Sequence, residues 1–386
     1  MRKDYIHSDN LNLRKEEMKS LKAVLILFFA VVTGVVVASF AGCGGSGSSS
    51  STGSTTQSYF GTASPGDAWQ WSITKDSSGN GTFTAANQTM GVTYNGTVST
   101  LPNKFLKLTF TSSTDANVVG KSAYAIEFPG TALIVKPAMA NASAVVASGL
   151  GKCPGASAKY NWVKIPGSLW NADSDEAFGV ANSIVSGNGF TFDVMSNFLN
   201  GTMMGGMQTI SGYTCSGGRI TTSSMPKVMM PGPGPSMSLA VTPSGVFVGD
   251  NGHSGGLVGM SVPGAAIGNA PLLAKGLEFR GVLFKNQSPG DKTEPVWART
   301  YGNGMINGGG YINFENNVED MVNGVTLSLN NDTATPGMFS GILHDKGSNT
   351  SYPFTLMINK INGKYMIFGI SKDNSNGPYN FLVIQQ

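Results

Sequence analysis

Charged residues are scarce in this chain of 386 residues, since Asp, Glu, Lys and Arg together make up only 12% of it. The formal net charge is +3 at pH 7, which provides no basic field for nucleic acid or anionic lipid headgroups. Histidine occurs only three times, and two of these, His253 and His344, lie beyond the first 42 residues. This scarcity excludes multi-histidine metal sites. We therefore expect no nucleic-acid partner and no bound cofactor.

Cysteine is equally rare, with Cys43, Cys153 and Cys215 as the only three. No Cys-x-x-Cys pair occurs, so a zinc or redox motif of that kind is excluded. Two cysteines in an oxidising compartment most often pair. The sequence therefore predicts a Cys153–Cys215 disulfide, which would stabilise the fold by roughly 4 kcal/mol in the chain-entropy view.

Glycine, in contrast, is abundant, with 52 residues, nearly twice the usual share. Low charge with much Gly, Asn, Ser and Thr favours short strands joined by tight turns. Apolar residues alternate with polar ones at Trp69, Trp71 and Ile73, and strand signals recur about every 8–15 residues. The predicted fold class is all-β, with two antiparallel β-sandwich or barrel-like domains and one short helix.

Local patterns place the turns and the helix. Asn95-Gly96 and Asn362-Gly363 are each flanked by strand signals, so each predicts a two-residue β-hairpin turn. Apolar residues at helical spacing between Asp175 and Val185, with Ser174 as the cap, predict the short helix. The alternation of Trp69 and Trp71 indicates a core face, although these rings and Trp162 could instead stack on sugars.

Composition divides the chain into five segments. A basic flank precedes the apolar run Ala23 to Phe40, which is typical of an export signal, and a start at Met18 would give a better flank. The segment after Cys43 reads GGSGSSSSTGSTTQ and predicts a flexible tether. A segment with several prolines then predicts a linker. The segments are 1–42 signal peptide, 43–57 lipidated Cys and tether, 58–230 first β domain, 231–236 Pro-rich linker and 237–386 second β domain.

The apolar run ends in Phe40-Ala41-Gly42-Cys43, which resembles the lipobox of bacterial lipoproteins. The resemblance implies cleavage before Cys43 and a diacylglycerol on its sulfur. It also implies that the new amino terminus carries an acyl group such as palmitate. Gly44, rather than Asp, follows the cysteine. This resembles lipoproteins sent to the outer membrane when the host is Gram-negative. The resemblance implies that the protein lies in the cell envelope and is anchored to a membrane through its lipid. It implies no activity.

Three short segments resemble uncharacterised secreted bacterial lipoproteins. They are GVFVGDNG from Gly245, GLVGM from Gly256 and the closing YNFLVIQQ from Tyr379. The resemblance is short and implies no mechanism.

One motif suggests an enzyme. Gly252-His253-Ser254-Gly255-Gly256 fits the Gly-x-Ser-x-Gly elbow of serine hydrolases, where glycines make room for a strained turn. Ser254, Asp320 (or Asp291) and His344 follow in a compatible order. However, the short β-like run after the motif does not predict the helix that the elbow requires. A glycine-rich hairpin loop is the favoured interpretation, and the hydrolase stays an alternative.

A methionine cluster suggests a second alternative. Thioethers are soft ligands for Cu(I), so clustered methionines could handle copper in an oxidising compartment. Methionine also fills irregular apolar gaps, which is the favoured interpretation here. The candidate ligands are Met203, Met204, Met207, Met229 and Met230.

No pattern in the sequence brings an acid, a base and a nucleophile together. The sequence therefore favours a lipid-anchored envelope protein with a non-catalytic binding or structural role. Its expected partners are the membrane, through the lipid, and an unknown protein or small-molecule ligand.

Overall fold

Almost every described part of the chain is β-strand. The computed structural model describes residues 53–63, 67–137, 144–155, 158–165, 178–184, 189–195, 203–210, 214–222, 237–242, 245–250, 256–265, 267, 276–285, 292–300, 305–311, 325–331, 336–371 and 379–386. These residues form 25 strands and a 3₁₀ turn at Ala116–Val118. The predicted all-β class is confirmed.

The first eight strands form a closed barrel, here named the N barrel. Each strand pairs antiparallel with the next, and β8 pairs back on β1, so no free edge is left. The strands are β1 Thr55–Ala63, β2 Ala68–Lys75, β3 Gly81–Asn87, β4 Val92–Thr100, β5 Leu106–Ser113, β6 Ser122–Phe128, β7 Ala132–Lys136 and β8 Val145–Gly149. β1 begins inside the segment predicted as tether.

Alternating side chains fill the interior of the N barrel, as an eight-stranded barrel of this kind requires. The buried interior residues include Tyr59, Trp71, Ile73, Phe83, Leu108, Phe110, Leu133 and Val145. Trp71 is 2% exposed and stacks on Trp69, with ring centroids 5.6 Å apart. The alternation of Trp69 and Trp71 therefore marks a core face.

Nine further strands form one antiparallel sheet, here named the central sheet. Its strand order is β12-β11-β10-β9-β17-β16-β15-β14-β13. The strands are β9 Lys159–Ile165, β10 Phe178–Ile184, β11 Gly189–Met195, β12 Met203–Ile210, β13 Thr214–Ser216, β14 Arg219–Thr222, β15 Met237–Val241, β16 Val246–Asp250 and β17 Gly256–Ser261.

The central sheet must curl strongly, because its two edge strands are consecutive in sequence. Ile210 ends β12 and Thr214 begins β13, so four peptide units join the opposite edges. Four units reach at most about 14 Å. A flat sheet of nine strands would hold its edges about 38 Å apart. The sheet therefore bends until its edges approach each other.

The central sheet also combines strands from both sides of the predicted Pro-rich linker, residues 231–236, which lies outside the described residues. β15 pairs with β14, and β17 pairs with β9. Strands assigned by the sequence to the second domain thus complete a sheet begun by the first.

The helix predicted over Asp175–Val185 is wrong where the chain is described. Phe178–Ile184 is strand β10, hydrogen-bonded to β9 on one side and β11 on the other. Phe178, Val180 and Ile184 also fit a period of two, and branched residues suit strands. Pairing on both edges of the strand outweighs a weak helical pattern.

The last eight strands close a second barrel, here named the C barrel, through pairing of β25 with β18. Its interior is filled by apolar and aromatic side chains, among them Phe279, Phe339, Phe354, Leu356 and Phe381. The strands are β18 Glu278–Lys285, β19 Lys292–Thr300, β20 Met305–Tyr311, β21 Val325–Asn331, β22 Met338–Asp345, β23 Thr350–Ile361, β24 Lys364–Ser371 and β25 Tyr379–Gln385.

Both barrels bury part of their outer wall in one core shared with the central sheet. This core joins Ile134 and Val146 of the N barrel, Val258 of the sheet, and Phe368 and Leu382 of the C barrel. Strands in this region are apolar on both faces, which explains their continuous apolar sequences. The N barrel and the C barrel are therefore joined through a core that the central sheet completes.

Candidate functional site

Six of the predicted functional residues, among them the alternative acid Asp291, lie outside the described part of the chain. They are Cys43, Ser254, Asp291, Asp320, Met229 and Met230. Lipidation at Cys43, the hydrolase centred on Ser254 and the methionine copper site therefore stay predictions.

His344 is described, and it lies on β22 opposite Ser351 of β23. Its Nδ1 is 3.1 Å from Ser351 Oγ. The next residue, Asp345, accepts hydrogen bonds from Gly347 N at 2.8 Å and Ser348 Oγ at 3.0 Å, so it stabilises the hairpin turn. The side-chain hydrogen bonds described for these two residues stay within the β22–β23 hairpin.

Three of the predicted copper ligands, Met203, Met204 and Met207, belong to the edge strand β12. Among the described residues, no group of three or more His, Cys, Asp or Glu side chains could hold a metal ion. That search does not cover thioethers, so it does not test the copper hypothesis.

Cys153 and Cys215 are adjacent, with sulfur atoms 2.07 Å apart and Cα atoms 6.0 Å apart. Cys153 lies on the connection from β8 to β9, and Cys215 lies on β13 at the edge of the central sheet. Gly151 N donates to Gly217 O at 2.9 Å beside this pair. The two cysteines thus fasten the exit of the N barrel to the β13–β14 hairpin.

Arg219 on the same hairpin reaches the N barrel. Its guanidinium carbon lies 4.7 Å from the centroid of the Phe60 ring, and its Nη2 donates to Gln88 Oε1 at 3.1 Å. Burial lowers the pKa of Arg219, and the Asp250 carboxylate partly opposes this shift. Asp250 itself accepts from Thr62 Oγ1 at 2.9 Å. These contacts fix the central sheet against the N barrel.

A buried polar group lies inside the N barrel near one mouth. The Glu127 side chain is 2% exposed and accepts hydrogen bonds from Lys75 Nζ and, at 2.5 Å, from Tyr59 Oη. Burial and then the Glu127 charge raise the pKa of Tyr59 well above its ordinary value. Gly130 N donates to the same hydroxyl at 3.1 Å. Because Lys75 and Tyr59 both donate to Glu127, the buried carboxylate has its hydrogen-bond partners within the barrel.

The outer wall of the N barrel carries the arrangement best suited to recognition. Cross-strand pairing aligns six hydroxyl residues in one row over β1 to β6. The row is Thr56, Thr74, Thr82, Thr97, Thr109 and Ser122. A parallel row is Ser58, Ser72, Thr84, Asn95 and Ser112. Together these eleven residues are named the hydroxyl belt.

The hydroxyl belt faces solvent and contains no ionisable side chain. Thr82, Thr84 and Thr97 in its middle are exposed. At its ends, Thr56 and Thr74 hydroxyl oxygens are 2.8 Å apart, and Asn95 Nδ2 donates to Ser112 Oγ at 3.2 Å. Each hydroxyl is one donor and a double acceptor, so capacity remains after such a bond. The belt is therefore a neutral surface of ordered donors and acceptors.

Sequence reasoning did not find the belt. Alternation around Phe83 and Leu108 predicts that every second residue faces solvent, which gives the polar positions of each strand. The alignment of those positions into rows depends on register, and the bulge at Asn95/Gly96 shifts it. The sequence of a single strand therefore does not predict which residues of the neighbouring strands align with it.

No protein-family model matches the sequence, and no curated protein matches it. Isotype 1 transferrin binding protein B from serogroup B Neisseria meningitidis is 7% identical at a TM-score of 0.29, covering 87% of this chain and 77% of that one. A putative DNA polymerase III beta subunit from Eubacterium rectale is 7% identical at a TM-score of 0.13, covering 85% and 90%. These scores carry no argument about function.

Within the described ranges, no helix is both long enough and apolar enough to cross a membrane.

Proposed function

We propose that this chain is a lipid-anchored protein of the bacterial cell envelope that acts by binding a partner or as a structural element. The observation that carries the proposal is Phe40-Ala41-Gly42-Cys43 at the end of an apolar run. An apolar run with a basic flank is typical of export. Two or more acyl chains at one cysteine suffice for a stable anchor. In a Gram-negative host, the presence of Gly44 and not Asp after Cys43 favours a location in the outer membrane.

The tether supports the same role. β1 begins at Thr55, so the segment from Gly44 to Ser54 separates the anchor from the first strand. Eleven residues of this Gly- and Ser-rich composition would reach roughly 20 Å, from about 5–6 Å times the square root of their number. That distance holds the folded part close to the membrane surface while leaving it able to turn.

The described barrels favour binding at an outer surface over chemistry in an interior. Trp71 and Phe83 pack inside the N barrel, and Phe354 packs inside the C barrel, each at most 2% exposed. Small molecules are usually bound in a concave pocket. A filled barrel offers its wall and loops instead, and the exposed wall of the N barrel carries the hydroxyl belt.

Lipidation is tested by expressing the full chain with a radiolabelled fatty acid and analysing the product by mass spectrometry. We expect label on the wild type and on Gly42→Ala, because the lipobox accepts Gly or Ala before the cysteine. We expect no label on Cys43→Ala. An intact leader or an unmodified Cys43 thiol in the wild type would contradict the proposal.

A further inference from the structure

The hydroxyl belt continues without interruption, unlike the comparable wall of the C barrel. There the pairing aligns Thr326, His344 and Ser351 in one row and Ser328, Ile342 and Pro353 in the next. Ile342 is 50% exposed. Threonine is common on solvent-facing strands because its branched side chain suits a strand. Strand propensity alone therefore explains scattered threonines, as in the C barrel, but does not explain six aligned hydroxyl residues.

The spacing and charge of the belt define the chemistry that it can recognise. Neighbouring members of a row lie about 4.8 Å apart, and the two rows are about 7 Å apart along the strands. The side chains of Thr82 and Thr97 have no hydrogen-bond partner among the described residues and face solvent. The two rows carry no charge, so they favour a partner that brings many donors and acceptors and no ionic group.

The curvature of the wall decides between a rigid and a flexible partner. The longer row crosses six of the eight strands, so it passes around more than half of the barrel. A flat, rigid surface such as an ice face would touch only a few strands at once. A flexible polymer can follow the wall and contact the row along its length.

We infer that the hydroxyl belt binds a neutral polysaccharide through hydrogen bonds to its hydroxyl groups. This inference rests on the proposed function, because an anchor in the envelope places the belt among glycans. The belt contains no aromatic residue, so it would contact the sugar through hydrogen bonds and not through ring stacking. Affinity for one copy is therefore low, and many anchored copies on one membrane would raise the avidity.

The test is native affinity electrophoresis of the detergent-purified full chain in gels containing amylose, dextran or hydroxyethyl cellulose. We expect at least one of these neutral polymers to retard the wild type. The triple variant Thr82→Val, Thr84→Val and Thr97→Val removes hydroxyls but keeps branched side chains, so it should fold normally. Its apparent affinity should fall about tenfold or more, as expected from the loss of several hydrogen bonds.

The matched control is Thr214→Val with Thr221→Val, which removes an exposed pair of hydroxyls 2.8 Å apart on the β13–β14 hairpin. It should bind as the wild type does. Absence of retardation by all three polymers, equal binding by the triple variant and the wild type, or stronger retardation by anionic alginate would each overturn the inference. Circular dichroism confirms that each variant is folded.

The two proposals fail separately. Labelled, anchored protein that ignores every neutral polymer would contradict the polysaccharide inference alone. Retardation that depends on the belt, in a wild-type product lacking lipid at Cys43, would contradict the anchor alone.

Discussion

The N barrel and the C barrel close in the same way but differ in what they place inside and outside the wall. Each has eight antiparallel strands, a filled interior and an apolar strip buried in the shared core. The N barrel contains the buried Glu127 group and carries the hydroxyl belt. The C barrel interior contains the tilted Phe354–Phe381 pair, with ring centroids 5.2 Å apart, and its wall has exposed Ile342. Two barrels that close in the same way can therefore carry different side chains on their outer walls.

Truncating one interior ring in each barrel should give the largest effect. We expect Phe83→Ala and Phe354→Ala each to lower the free energy of unfolding by about 3–5 kcal/mol, because each leaves a cavity among aromatic side chains. Urea unfolding measures the cost, and hydrogen exchange locates it. Exposed Thr84→Ala is the control and should cost under about 1 kcal/mol. If hydrogen exchange becomes faster to the same extent in both barrels, the shared core makes them one cooperative unit.

Only the N barrel is fastened to the central sheet by a cysteine pair. The sequence separation of 62 residues gives an upper value of about 4 kcal/mol. We expect Cys153→Ser with Cys215→Ser to cost about 3 kcal/mol, since Arg219 and its neighbours still hold the hairpin. Hydrogen exchange should rise in β13–β14 and stay unchanged in the C barrel. Faster exchange confined to the C barrel would contradict this assignment.

The two barrels also offer a buried and an exposed ion pair for comparison. Glu127→Gln should cost about 1–2 kcal/mol, because Lys75 and Tyr59 lose a buried charged acceptor. Glu278→Gln is the control, since Glu278 and Arg299 are 46% and 35% exposed and 2.9 Å apart. Exposed pairs contribute under about 1 kcal/mol. Equal losses of stability in thermal unfolding would remove the distinction between the buried pair and the exposed pair.

The two Asn-Gly sequences show which structural features depend on neighbouring residues and which depend on packing between distant strands. Asn362 and Gly363 have φ of 47° and 82°, as the predicted hairpin turn requires, so that prediction is confirmed. The hairpin predicted at Asn95-Gly96 is wrong, because β4 runs through it. A Cβ on Gly96 would lie 2.5 Å from Phe83 Cε1, so glycine here makes room for a ring in the barrel. The same dipeptide serves a turn in one place and packing in the other.

The all-β class, the alternation of core and solvent faces, the Asn362-Gly363 turn and the scarcity of charge can all be predicted from the amino-acid sequence. These are short-range properties, since they follow from side-chain size, polarity and backbone preference within a few residues. Tertiary structure decided the strand identity of Phe178–Ile184, the assembly of one sheet across the Pro-rich segment, and the alignment of the hydroxyl belt. Each of these depends on which strands pair and in what register. That choice is made by hydrogen bonds and burial between segments distant in sequence.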